Sequence, residues 1–152
     1  MAARAPIVLE ALSALMAPRY PSACLALHGS VAEGTAGGGG GDLDVAAQVD
    51  PKELQRDFEG PTAAHVLQVM ALRELRAAAQ ASSVWSVRGA VFAARIPVLT
   101  LWHSPSSCEV DLTVNNATVR AGWTQQWGAG SLDPAVRSLI SVIKYWARRR
   151  QL

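Results

Sequence analysis

The sequence predicts an α+β fold: a mixed β-sheet with helices flanking it. Three observations carry this. Strand-like segments come in clusters rather than in strict strand–helix alternation. The apolar residues switch between a period of two and a period near 3.6 along the chain. The length, 152 residues, suits one domain with one closed core. Half of the residues are apolar and 17% are charged, which excludes a disordered chain. No run of about 18 uncharged apolar residues is present to cross a membrane. Cys24 and Cys108 lie far apart, give no disulfide framework or zinc spacing, and fit a reducing compartment.

The elements follow in order. Ile7, Val8, Leu12, Leu15 and Met16 recur at helical spacing, so the first twenty residues read as an amphipathic helix rather than a cleaved address. Ala23 to Leu27 is a short apolar run, a buried strand ending at His28-Gly29-Ser30. A helical turn over Val31 to Gly34 and five consecutive glycines, Gly37 to Gly41, come next. Asp42-Leu43-Asp44-Val45-Ala46 alternates, as a half-buried strand does. Asp50-Pro51 opens a helix, and residues 62–80 form a longer one with Val66, Val69, Met70, Leu72 and Leu75 as the expected stripe. Strands are expected at 84–87 and 96–102, then a turn at Ser104-Pro105-Ser106-Ser107. Cys108 to Val114 alternates again and ends at Asn115-Asn116. Residues 117–128 are expected to be helical. Asp133 caps a last helix whose apolar face is Val136, Leu139, Ile140, Ile143 and Trp146. Trp102 and Trp146 are expected in the core, and Trp123 and Trp127 in a docking patch.

The chemistry begins with Asp42 and Asp44. Residues two apart on a strand share a face, and paired carboxylates call for a hard divalent cation, Mg²⁺ first. Asp-x-Asp also suits an ordinary solvated strand, and Gly29-Ser30 an ordinary turn. Asp111, between apolar Val110 and Leu112, would supply a third carboxylate if its strand lies beside the first. Three such acids suit a two-metal site for in-line displacement at phosphorus. Gly29 lets backbone approach a ligand closely, and Ser30 adds a hydroxyl donor. The charge is uneven: the first 111 residues carry eight basic and eleven acidic side chains, the last 41 six and one. Such a division suits first a basic solvated helix, and alternatively metal-binding acids in one part and phosphate-binding cations in the other.

This combination resembles the DNA polymerase β-like nucleotidyltransferase superfamily. Its signature is Gly-Ser, a loop, Asp-x-Asp, and a third carboxylate on a later strand. Four further blocks, Ala94 to Leu99, Cys108 to Asn116, Leu132 to Arg137 and Val142 to Arg150, resemble the terminal uridylyltransferases and related poly(A) RNA polymerases. The resemblance implies a nucleotidyltransferase palm over residues 1–131 and, over 132–152, the start of a truncated helical central domain. It implies transfer of UMP or AMP from an NTP (UTP or ATP) to an RNA 3′ end, with two Mg²⁺ or Mn²⁺ ions. Asp42, Asp44 and Asp111 would be catalytic and bind metal. Gly29, Ser30, Asn116, Lys144 and Arg148 would bind the nucleotide and its phosphates; Arg148 stands where the family usually has lysine. The implied partners are the RNA 3′ end, the NTP, and a domain or protein docking on the last helix, with no membrane. The implied compartment is the cytoplasm or the mitochondrion. Two rival readings remain: a minimal nucleotidyltransferase modifying a protein or small molecule, and a silent palm that binds RNA or a partner polymerase.

Overall fold

The computed structural model describes residues 4–32, 42–117 and 133–150. It is an α+β fold, as the sequence predicts. The order is α1 (Ala5–Met16), β1 (Cys24–His28), α2 (Gly29–Ala32), β2 (Leu43–Gln48), α3 (Pro51–Gln55), α4 (Ala64–Gln80), β3 (Trp85–Val91), β4 (Val98–His103), β5 (Cys108–Val114) and α5 (Pro134–Arg149). The five strands form one mixed sheet in the order β1-β2-β5-β4-β3. β2 and β5 pair in parallel; the other three pairs are antiparallel.

One face of the sheet is the core. Alternate residues Leu43, Val45 and Ala47 of β2, Val110, Leu112 and Val114 of β5, and Leu99 and Leu101 of β4 are buried there. Val8, Leu12 and Met16 of α1 and Leu72 and Leu75 of α4 complete the cluster. Arg19, just after α1, donates from Nε to Glu74 of α4 at 2.8 Å and also pairs with Asp57. The Tyr20 hydroxyl donates to Glu74 as well. The hydrogen bond from Arg19 holds the Glu74 carboxyl below the usual carboxylate range. Asp50 caps α3 by accepting from the Lys52 N–H at 2.8 Å, and Asp133 caps α5 by accepting from the Ala135 N–H at 2.8 Å.

The structure corrects several sequence expectations. α4 buries Leu67, Ala71, Leu72, Leu75 and Ala79, whereas Val66 and Met70 are exposed. Leu72 and Leu75 of the expected stripe are buried, but the apolar residues of α4 circle most of the helix, so spacing alone misplaces the rest of the stripe. Ile7 is exposed for the same reason, with Ala5 buried instead. Trp102 is half-buried on the face away from the core, because β4 alternates and Leu101 and His103 take the inward positions. Trp146 is 50% exposed. The expected turn at 31–34 is α2, starting two residues earlier. The helix expected at 117–128, with Trp123 and Trp127, lies almost entirely outside the described residues.

Candidate active site

The sheet face away from the core carries the polar residues, and pairing lines them up. His28 of β1 stands opposite Asp44 of β2. Asp44 stands opposite Asp111 of β5, Asp111 opposite Thr100 of β4, and Thr100 opposite Gly89 of β3. Directly paired residues project to the same side of a sheet, so one rung brings the two carboxylates side by side. The Thr100 hydroxyl donates to Asp111 Oδ1 at 2.7 Å and fixes that carboxylate's rotamer.

Gly29 closes the β1 side of this pair. Its φ of +68° is left-handed, and a Cβ there would stand only 2.9 Å from Asp44 Cγ. Glycine is therefore required twice, by backbone angle and by the carboxylate packed against it. Ser30 follows in α2, half-buried. Asp42 precedes β2 and is exposed. The other end of β5 is anchored by Asn115. Its Oδ1 accepts from the Val49 N–H at 2.8 Å, its Nδ2 donates to the Val49 carbonyl at 3.0 Å, and its N–H donates to Ala47 O at 2.8 Å. This clamp fixes the β2/β5 register on which the Asp44–Asp111 pair depends.

The expected site residues are thus distributed unevenly. Asp44, Asp111 and Gly29 come together, with Ser30 next in the chain. Among the described residues no three His, Cys, Asp or Glu side chains gather into a group able to hold a metal, so Asp42 does not close a three-carboxylate cluster. Asn116 is buried just beyond the end of β5, after the turn of backbone at Asn115, whose φ is +45°, and Asp111 lies three residues before the strand's end. Lys144 and Arg148 lie one turn apart on α5, Lys144 half-buried; the Arg148 side chain is outside what the structure describes. Thr100 was missed by sequence reasoning, although the signal was present. The turn Ser104–Ser107 pairs His103 with Cys108, and counting three residues back along β4 and forward along β5 pairs Thr100 with Asp111.

Residues 3–119 match the family described as poly(A) RNA polymerase, mitochondrial-like, central palm domain. The chain belongs to this family. It is 36% identical over 59 residues to the poly(A) RNA polymerase cid11 of Schizosaccharomyces pombe (strain 972 / ATCC 24843), which covers 39% of this chain and 12% of that protein. Among solved structures it is similar to GLD-2 in its complex with RNP-8, with TM-score 0.78 and 23% identity over 99% of this chain and 50% of that one. It is also similar to mtPAP bound to ATPγS, with TM-score 0.73 and 22% identity over 90% of this chain and 30% of that one. The Cid1 poly(U) polymerase gives TM-score 0.69 and 18% identity over 97% and 41%. At these identities the structural likeness shows the palm fold. The chain spans half or less of each of these relatives. Among the described residues no helix is long and apolar enough to cross a membrane.

Proposed function

We propose that this palm serves an RNA 3′-terminal nucleotidyltransferase, which transfers UMP or AMP from an NTP to an RNA 3′ end. The observation that carries the reading is the Asp44–Asp111 pair, opposite one another on adjacent strands and walled by Gly29. Two carboxylates held this close repel, and their hard oxygens suit Mg²⁺ or Mn²⁺. Asp44 and Asp111 would hold the two ions, and Asp42, which stands exposed before β2 and outside this pair, would have to turn toward them to serve as a third donor. When bound, the metals supply charge stabilisation to the attacking and leaving oxygens.

The chain's own residues do the rest. Gly29, lacking a side chain, lets the Asp44 carboxylate pack against the backbone where α2 begins, and Ser30 offers a hydroxyl donor to a phosphate there. Thr100 keeps Asp111 in one rotamer, so that its carboxylate faces the incoming 3′-hydroxyl. Lys144 and Arg148, four residues apart on α5, share a helix face suited to the β- and γ-phosphates. Asn116 would be a further nucleotide-binding residue. Residues 1–131 then form the catalytic palm, and 132–152 begin a helical domain. Exposed Leu139, Val142, Ile143 and Trp146 on α5 support that division, because such a face belongs inside a helical bundle. The mtPAP complexes with ATPγS, UTP, CTP and GTP support an NTP as substrate. The cytoplasm or the mitochondrion is the proposed compartment.

The test is incorporation of each labelled NTP onto a short RNA primer with Mg²⁺ or Mn²⁺, in the full-length protein. Asp111→Asn is expected to lower the rate by about 10²-fold or more. An unchanged rate would remove Asp111 from the catalytic role. Label appearing on protein or on a small molecule, with none on RNA, would favour the minimal nucleotidyltransferase.

A further inference from the structure

Two residues along β4 from the carboxylate rung, on the same face of the sheet, stands a feature that the proposed phosphate grip does not use. Trp102 sits two residues from Thr100 on the same face of β4, about 6.5 Å along the strand. Its pairing partners are Ser86 of β3 and Glu109 of β5. The Arg88 guanidinium lies over the Trp102 ring, 4.9 Å from the centroid. Arg88 is exposed, and it falls where the β3/β4 register shifts between Val87 and Gly89. Such a bulge re-aims a side chain relative to a regular strand. Beside it, at the free edge of the sheet, a pocket of about 300 Å³ is lined by Arg76, Gln80, Val87, Arg88, Gly89 and Ala90. The lining holds two arginines and no carboxylate.

We infer that Trp102 and Arg88 form a stacking platform for the 3′-terminal region of a single-stranded RNA acceptor, with Arg76 and Arg88 receiving its phosphodiesters. This rests on the nucleotidyltransferase reading and names the track of that site's second substrate. The two substrates reach the carboxylates from opposite sides. Gly29 and Ser30, which would hold the phosphates of the leaving group, lie beside β1 at one end of the strand order. In-line displacement places the attacking oxygen opposite the leaving oxygen. The attacking hydroxyl therefore arrives from the β4/β3 side of Asp111, where Trp102 and Arg88 stand. A guanidinium held flat on an indole is a broad cationic plane, suited to a base on its free side and to a phosphate at its rim. Stacking of this kind tolerates any base, as a tailing acceptor requires.

The experiment titrates the 152-residue chain with a fluorescent 15-nucleotide single-stranded RNA and, separately, with an NTP in Mg²⁺. Trp102→Ala is expected to weaken RNA binding about tenfold, and Trp102→Phe to retain most of it. Arg88→Gln is expected to lower the dependence of log affinity on log salt by about one unit. Arg88 is exposed, so its variant carries the test even if Trp102→Ala folds poorly. RNA affinity and salt slope unchanged in Trp102→Ala and Arg88→Gln would overturn the platform. So would a loss of NTP affinity in Trp102→Ala equal to the loss for RNA, which would place the indole at the nucleotide instead. If Asp111→Asn leaves Mg²⁺-dependent NTP affinity intact, the carboxylate reading fails separately, and the RNA titrations still decide the platform.

Discussion

Gly29 shows how one missing side chain organises the site. Replacing it by alanine would force a Cβ against the Asp44 carboxylate and keep a non-glycine residue at φ +68°. The backbone strain costs about 1–2 kcal/mol. Gly29→Ala is therefore expected to lose stability in urea by that amount and also to weaken Mn²⁺ and NTP affinity, read by calorimetric titration. A stability loss without a binding loss would detach Gly29 from the nucleotide. His103 makes a second prediction at this scale. It is buried against Trp85, ring centroids 4.6 Å apart, and burial pushes its pKa below the usual histidine value. The unfolded chain then binds more protons than the folded one as pH falls below about 6.5, so stability is full above that pH and declines beneath it. Melting temperatures measured from pH 7.5 to 5 should fall through this window, and less steeply in His103→Gln. At this scale the sequence was informative for Asp44, Asp111 and Gly29, because strand alternation and a glycine after a strand have direct physical meaning. It was uninformative for Arg88, whose place depends on a bulge that no local pattern announces.

Strands were mostly more legible than helices, but β1, expected to be buried, is an edge strand whose residues are exposed or half-buried. β5 was read with its observed boundaries, since Cys108 to Val114 alternates without exception and a turn precedes it. α4 is where the sequence predicts it, and Leu72 and Leu75 of its expected stripe are buried, but Val66 and Met70 are not. Val66, Val69 and Met70 are as apolar as the leucines that are buried, Leu67 and Leu72, so hydrophobicity alone does not choose the face. Ala71, small enough to let the helix sit close to the sheet, takes a buried position instead. Packing decided the face, and packing is set by neighbours distant in the chain. Leu72 is fully buried between α4 and the sheet, and Met70 is 39% exposed. Leu72→Ala is therefore expected to cost about 2–5 kcal/mol in denaturant unfolding, and Met70→Ala well under that. Equal losses would restore the stripe that spacing suggested.

For the whole molecule, the class of fold followed from the pattern, but the strand order did not. The β4/β5 hairpin could be counted from its turn, whereas the parallel β2/β5 pairing joins segments separated by α3, α4, β3 and β4, with no local signal. That pairing makes the candidate site, and in the proposed reaction every group it gathers near Gly29 would address phosphate or metal, which all NTPs share. The chain alone is expected to bind UTP, ATP, CTP and GTP in Mg²⁺ with affinities within about tenfold, less than a set of base-specific contacts would produce. A larger preference for one base, measured by titration, would show base reading within these 152 residues.

The seam between β2 and β5 also has a consequence in time. The β3-β4-β5 meander closes through local turns, so it can form early, while β2 must find β5 across a long stretch of chain, a slower search. On this topology the two halves of the carboxylate pair are expected to arrive on different folding units and to meet when those units dock. A cation bridging Asp44 and Asp111 would act as a clasp on that seam. It would slow the separation of the two units more than it hastens their meeting, and amides of β2 and β5 would exchange their hydrogens later than those of the outer strands.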